Sequence, residues 1–389
     1  MAYSISDLIN SESFASTSNY DNLFYAMLKC KGNGVGWKRN VQGFVKNGPT
    51  NCVELSSNLQ NFTYEVGPYR HYKVFEPKER DIVAMYMKDR VIHRCFSDNY
   101  FYEKITRSFI YDNYACQKGK GTLRARERFK AHLQQYHRKY GCEGYMLKLD
   151  IHSFFGSIPH SVIMNNLKPK LDPYGLYLVQ LIIDGYWTDI DFENEHKIGI
   201  FLGSIITQLL GVGTLDKLDH IIKEKFKIRH YSRYNDDMII ISKNKDELVE
   251  LLFYINDYLK NLGLTLNLNK TKIYKITDKI EFIGFDFRLT NTGYVVVTVP
   301  KHKVKYKKRK LRRMVKAANE GKFDKSTVDQ HFKSYIQHIS YGDTNKLQLN
   351  LTVYYNKLWP NEPKLKVHDI QKEFKKPKMK NTYKLKNAA

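Results

Sequence analysis

Cysteine is scarce in this chain: five residues in 389 (Cys30, Cys52, Cys95, Cys116, Cys142), odd in number, scattered and never spaced C-x-x-C. That excludes a disulfide framework and a structural zinc finger, and it fits a reducing cytoplasm. Long apolar runs are missing too. No stretch approaches the roughly 18 residues of a membrane span, and residues 1–7 show neither the basic nor the apolar region of a secretion signal. The expectation is a cytoplasmic chain with no membrane partner. Repeats at solenoid periods and Gly/Ser linkers are also absent, which argues against arrays and tethered modules. Negative charge is the minority: 40 Asp+Glu stand against 64 Lys+Arg, a formal net charge of +24. Such a balance calls for a polyanion, nucleic acid first. The 29 Tyr and 21 Phe supply aromatic faces among the cations, as suits single strands and splayed bases.

The chain is long enough for a sizeable core without covalent staples. Residues 64–82 read as a short Lys/Arg-rich hairpin and 80–96 as a helix. The Gly-rich turn at 32–37 lacks a following Lys-Ser/Thr and reads as a plain loop. Tyr145-Met146-Leu147-Lys148-Leu149 is an apolar strand ending on Asp150, after which Phe154-Phe155 and Pro159 lead into a helix near His160. Residues 204–225 read as one helix and 230–242 as two short strands broken by Asn235-Asp236-Asp237. Residues 246–262 are an amphipathic helix stopped by Gly263, followed by strands at 264–268 and 281–289. Between 301 and 316 ten of sixteen residues are Lys or Arg and none is acidic, the pattern of a basic helix facing phosphates. Past Trp359-Pro360 nine lysines and little apolar periodicity suggest a tail that stays disordered until an anion orders it.

Three carboxylates carry the chemistry. Taken singly each has a structural explanation, because Asn-Asp is a good hairpin turn and Asp commonly ends strands. Context favours function: Asp150 follows a buried-type strand, and Asp236 and Asp237 precede the buried-type run Met238-Ile239-Ile240-Ile241. Carboxylates crowded in a cleft repel one another unless a divalent cation sits between them, and hard oxygen ligands suit Mg²⁺.

Tyr234-Asn235-Asp236-Asp237 resembles the Y-x-D-D signature of reverse transcriptases, and Leu149-Asp150-Ile151-His152-Ser153-Phe154-Phe155 resembles their first catalytic motif. Ser157-Ile158-Pro159-His160 continues it as in bacterial retroelement enzymes. Family-like segments follow in order over roughly residues 64–358. The resemblance implies an α+β right-hand polymerase with fingers, a palm built on an antiparallel sheet and a helical thumb. Its divisions would be an N-terminal extension (1–63), fingers and palm (64–289), a basic helical thumb (290–359) and a basic tail (360–389). It also implies RNA-templated DNA synthesis from dNTPs by two Mg²⁺ ions, with Mn²⁺ as a substitute, held by Asp150, Asp236 and Asp237.

The resemblance assigns further roles. Lys78 and Arg80, in a segment similar to the fingers hairpin, would hold the triphosphate. Tyr114-Ala115-Cys116-Gln117-Lys118-Gly119-Lys120 looks like a segment lying against the template, giving Lys118 and Lys120 that contact. Phe201-Leu202-Gly203-Ser204-Ile205-Ile206-Thr207-Gln208 is similar to the motif whose glycine admits backbone to the nascent base pair, which would place Leu202 and Gly203 at the dNTP and Gln208 at the template. Many relatives have Pro-Gln before that glycine; the Leu202-Gly203 form is closer to diversity-generating and some defence enzymes. Phe155 stands where the family places an aromatic gate against the ribose 2′-hydroxyl, although both phenylalanines could be core. Lys270, in Asn269-Lys270-Thr271, resembles the lysine that protonates pyrophosphate. Glu281-Phe282-Ile283-Gly284-Phe285 is similar to the primer grip, so Phe282 and Gly284 would meet primer, while Lys308, Arg309 and Arg312 would meet the duplex.

The expected partners are a template or non-coding RNA, the DNA product and dNTPs; an oligomer or accessory protein is not readable. The setting expected is a stand-alone component of a bacterial retroelement or antiphage defence system. The alternatives are a mutagenic enzyme of a diversity-generating retroelement and a catalytically silent RNA-binding relative.

Overall fold

The computed structural model describes residues 3–32, 34–75, 79–191 and 196–374, apart from the side chains of 79–81, 190, 191 and 196. The chain divides into two units, one of Met1–His132 with Glu143–Lys275 and one of Leu133–Cys142 with Ile276–Ala389.

The strands of the first unit are β1 (Arg70–Phe75), β2 (Glu79–Ala84), β3 (Tyr145–Leu149), β4 (Asp189–Asp191), β5 (His196–Ile198), β6 (His230–Tyr234), β7 (Asp237–Ser242) and β8 (Lys272–Lys275). β6, β7, β3 and β8 form one antiparallel sheet in that order. Its middle strands explain themselves: Met238 to Ile241 of β7 and Met146, Leu147 and Leu149 of β3 are all buried, and β-branched residues fit a pleat covered on both faces. The helix Lys245–Asn261 packs on β3 and β7. Asn244 caps its start by accepting the Asp246 N–H, and Gly263 follows its end at φ +73°. The N-terminal helices, from Ile5–Ile9 to Gly48–Gln60, add Leu23, Met27, Cys52 and Leu55 to the same core, so they are part of this unit's body.

Several sequence expectations change here. The helix expected over 80–96 begins only at Met87, because Glu79–Ala84 pairs with β1 as a hairpin and Tyr86 is still extended (φ −69°, ψ 163°). The expected helix over 204–225 is broken into Ile205–Thr214, Asp216–His220 and a π-type turn Ile221–Lys225; Leu215, fully buried, leaves helical geometry at φ −98°, ψ 7°. The strand expected at 264–268 is a single bridge, Leu266 to Ile151, that crosses the end of β3.

The second unit carries β9 (Ile280–Phe282), β10 (Phe285–Leu289) and β11 (Val295–Thr298) as an antiparallel sheet, then helices Lys301–Asn319, Lys325–Ile339, Asn345–Leu358 and Val367–Phe374. Leu311, Val315, Phe332, Ile336, Leu351 and Tyr355 make the helical core. The region read as a disordered tail is ordered in part: the Val367–Phe374 helix packs on Lys325–Ile339 and buries Ile370, an anchor too short to register as periodicity. Residues 375–389 lie outside the described part. No helix among the described residues is long and apolar enough to cross a membrane, and all five thiols are free.

Candidate active site

Asp150 is the first residue past β3 and Asp237 the first of β7. Leu149 pairs with Met238, so the next step along the ladder sets Asp150 across from Asp237 at the end of the sheet. Asp236 sits in the turn between β6 and β7, closed by the Tyr234–Asp237 pair, where Asn235 takes φ +54°, a conformation Asn tolerates better than most residues.

The three carboxylates are held differently. Asp150 is 7% exposed, and Lys270 donates from Nζ to both of its oxygens at 2.8 and 2.7 Å. Its carbonyl accepts the Asn267 N–H at 2.8 Å, which ties the Leu266 bridge segment to the end of β3. Asp236 is half-buried; burial pushes its carboxyl above the usual range, the Asp150 charge adds to that, and Lys270 opposes it. Asp237 Oδ1 lies 3.6 Å from Lys148 Nζ, a lysine that the pleat puts two residues before Asp150 on the same face.

Among the described residues no group of three His, Cys, Asp or Glu side chains is gathered as a metal cage. The donor chemistry nevertheless fits a hard divalent cation. The ligating atoms are carboxylate oxygens, Asp150 and Asp236 interact electrostatically, and an ammonium already stands where positive charge is required.

Beneath the turn lies a group that the sequence reading missed. Arg233 and Asp219 are both fully buried and paired, Nε to Oδ1 at 2.7 Å and Nη2 to Oδ2 at 2.5 Å, with the Tyr231 hydroxyl on the same carboxylate at 2.7 Å. The remaining guanidinium donors reach the Val212 carbonyl (3.0 Å) and the Asn235 carbonyl (3.1 Å), so one side chain spans the Ile205–Thr214 helix and the Asp236 turn. The available signal was an arginine inside the buried strand His-Tyr-Ser-Arg-Tyr, which cannot stay charged there without a partner.

Phe154 is core, whereas Phe155 is only half-buried and packs against Gly211 of the Ile205–Thr214 helix. Phe201 is buried against Tyr69 and Tyr186, with ring centroids 4.9 and 5.6 Å apart, while Leu202 is 52% exposed. A Cβ on Gly203 would stand 2.8 Å from the Val83 carbonyl oxygen, so this glycine admits the backbone of β2. Ser204 caps the helix through the Ile206 N–H, and its hydroxyl lies 2.8 Å from Nδ1 of buried His93, whose pKa burial drops to about 3. Gln208 Oε1 accepts the Cys116 thiol at 3.5 Å.

The basic residues divide. Lys118 is exposed, its ammonium 4.6 Å from the Tyr102 ring centre. Lys120 is half-buried, its ammonium donating to the carbonyls of Ile110, Tyr111 and Asn113 at 3.3, 2.9 and 2.8 Å. Lys78 lies outside the described residues; Arg80 pairs with Val74 through its backbone, and its side chain lies outside them. The other expected contacts belong to the second unit. Phe282 is fully buried in β9, so its ring supports the hairpin. Ile283 and Gly284 make the turn at φ +45° and +85°. Arg309 and Arg312 are exposed, Lys308 lies over Tyr354 at 5.0 Å, and Lys307 is buried against His331 at 2.9 Å.

A family model described as reverse transcriptase (RNA-dependent DNA polymerase) matches residues 77–287, more than half of the chain. The putative COX1/OXI3 intron 2 protein of Saccharomyces cerevisiae is 24% identical over 38% of this chain, which spans only 25% of that relative. Among solved structures, apo telomerase from Candida tropicalis is similar at 13% identity and TM-score 0.45, over 60% of this chain and 49% of that one. Telomerase from Candida albicans in complex with a TWJ fragment of telomeric RNA is similar at 13% identity and TM-score 0.45, over 80% and 67%.

Proposed function

This chain belongs to the reverse transcriptase family, and from that premise we propose that it synthesises DNA from dNTPs on an RNA template, with Asp150, Asp236 and Asp237 as the acidic centre. The observation that carries the reading is the meeting of Asp150 and Asp236 at one sheet end, where burial and mutual repulsion make a carboxyl pair that needs positive charge. Mg²⁺ bound by these carboxylates would activate the attacking hydroxyl and neutralise the leaving pyrophosphate. The chain's own residues do the rest. Lys270 orients Asp150 by donating to both of its oxygens, and its Nζ, once released, would be the group to hand a proton to the leaving pyrophosphate. The Arg233 guanidinium fixes the Asn235 carbonyl and so aims the turn that carries Asp236. The half-buried Phe155 ring stands as the gate against a ribose 2′-hydroxyl. Exposed Arg309 and Arg312 would meet the phosphates of the duplex or of a partner RNA.

The biological setting proposed is a bacterial retroelement or antiphage defence system with a dedicated RNA. The Leu202-Gly203 motif supports the second reading, a diversity-generating enzyme. One experiment addresses both levels: purify the wild type and Asp236→Asn, then sequence the RNA and DNA that accompany each. The wild type should carry a defined RNA and DNA complementary to it; the variant should carry the same RNA and no DNA. DNA made equally by the variant would sink the catalytic assignment, and absence of any bound RNA at moderate salt would sink the partner-RNA setting.

A further inference from the structure

Helix Ile205–Thr214 contains two interior glycines, Gly211 and Gly213, although glycine costs a helix about 0.5–1 kcal/mol relative to alanine. Their surroundings differ. A Cβ on Gly213 would meet Ile105 at 3.7 Å and Phe109 at 3.9 Å, ordinary contacts. A Cβ on Gly211 would stand 2.5 Å from Cε1 of Phe155, closer than carbon atoms approach, and 3.0 and 3.2 Å from Cδ1 and Cζ, tighter than most such contacts. The ring therefore lies flush on the helix in the space that a methyl group would take.

Phe155 has little freedom to give way along its own chain. Its carbonyl accepts the Ile200 N–H at 2.8 Å, and the buried Phe154 ring meets it edge-on at 5.1 Å. A group added at Gly211 would drive the ring off the helix, by about 1 Å if ordinary contact is to be restored. We propose that Gly211 is a specificity-determining positioning residue: by lacking a side chain it seats the Phe155 ring deep enough to leave room for a deoxyribose while excluding a ribose. The proposal rests on the reading of Phe155 as the sugar gate. Gly211 touches no substrate and acts only through the ring.

The test is steady-state extension of oligo(dT) on poly(rA) by the full chain, with dTTP and with UTP. The variants are Gly211→Ala, Gly213→Ala, Phe155→Ala and the double variant Gly211→Ala/Phe155→Ala. Gly211→Ala should raise the dTTP KM roughly tenfold with kcat within about twofold, since a misplacement near 1 Å is enough for such losses. Gly213→Ala should leave both unchanged. In the Phe155→Ala background, Gly211→Ala should have no further effect, because the ring it displaces is gone. An equal KM rise in both backgrounds, a matching rise from Gly213→Ala, or no rise at all would overturn the proposal. If Phe155→Ala leaves the dTTP/UTP preference at its wild-type value, the gate reading itself fails and the proposal falls with it, a result distinct from the others. Should Gly211→Ala be insoluble, the double variant decides: rescue of folding by Phe155→Ala supports the clash, and failure of both overturns it.

Discussion

Arg233 buries a full positive charge with no exposure, and Asp219 is buried opposite it. Removing one partner strands the other, which typically costs 3–5 kcal/mol, whereas losing both together costs less. Arg233→Met should lower chemical stability by about 3–5 kcal/mol and polymerisation with it. Arg233→Met/Asp219→Leu should recover much of the stability without recovering activity, because the donor to the Asn235 carbonyl is still missing. Denaturant unfolding and primer extension measure the two; full recovery of activity in the double variant would show that the arginine only stabilises. At this scale the strand context of the sequence placed Asp150, Asp236 and Asp237 at strand ends, where the sheet has them. It could not expose the Asp219 partner, 14 residues from Arg233 in the chain and on a different element.

The element scale turns on the meeting of β2 and the segment before the Ile205–Thr214 helix. Gly203 has an ordinary φ, so it is glycine for closeness and not for conformation: the Val83 carbonyl and the Phe201 ring, at 2.8 and 3.0 Å from where a Cβ would stand, leave no space. Gly203→Ala should therefore destabilise by about 1–3 kcal/mol, the usual cost of overpacking. It should also speed amide exchange in the β1–β2 hairpin; exchange unchanged there, with the protein folded, would separate Gly203 from the hairpin. Pattern reading found these elements but not their limits. The charged Arg80-Asp81 pair passes as a helix start, while β-branched Ile82 and Val83 suit the strand that pairing with β1 makes of residues 80–84.

Across the whole molecule, burial holds three histidines of the first unit, His93, His132 and His230, in the neutral form. Burial lowers His93 and His132 to about 3 and His230 to about 4. In the unfolded chain each would bind a proton near the ordinary value of 6.5. Their folded pKa values are depressed, so the stability they allow is complete above pH 6.5 and is lost as pH falls towards 4. The loss can reach about 1.4 kcal/mol per pH unit for each histidine. Melting temperature should decline steeply from pH 6.5 to 4.5, and His93→Gln should flatten the slope. A profile that stays flat over that range would mean that these histidines are protonated in the fold. The +24 charge acts at the same scale but unevenly, for Lys120 and Lys307 are spent on internal partners while Arg309 and Arg312 face solvent.

By itself the sequence determined which carboxylates stand at strand ends, in what order, and the +24 net charge of the chain. Those properties are local or additive, so spacing and composition carry them. Tertiary structure alone decided which lysine neutralises Asp150, 120 residues away in Lys270, and which cations serve the backbone. It also decided that Phe154 is core while Phe155 rests on Gly211. Periodicity gives a side chain its face but not the group it meets there, and in this site the partners are distant in sequence.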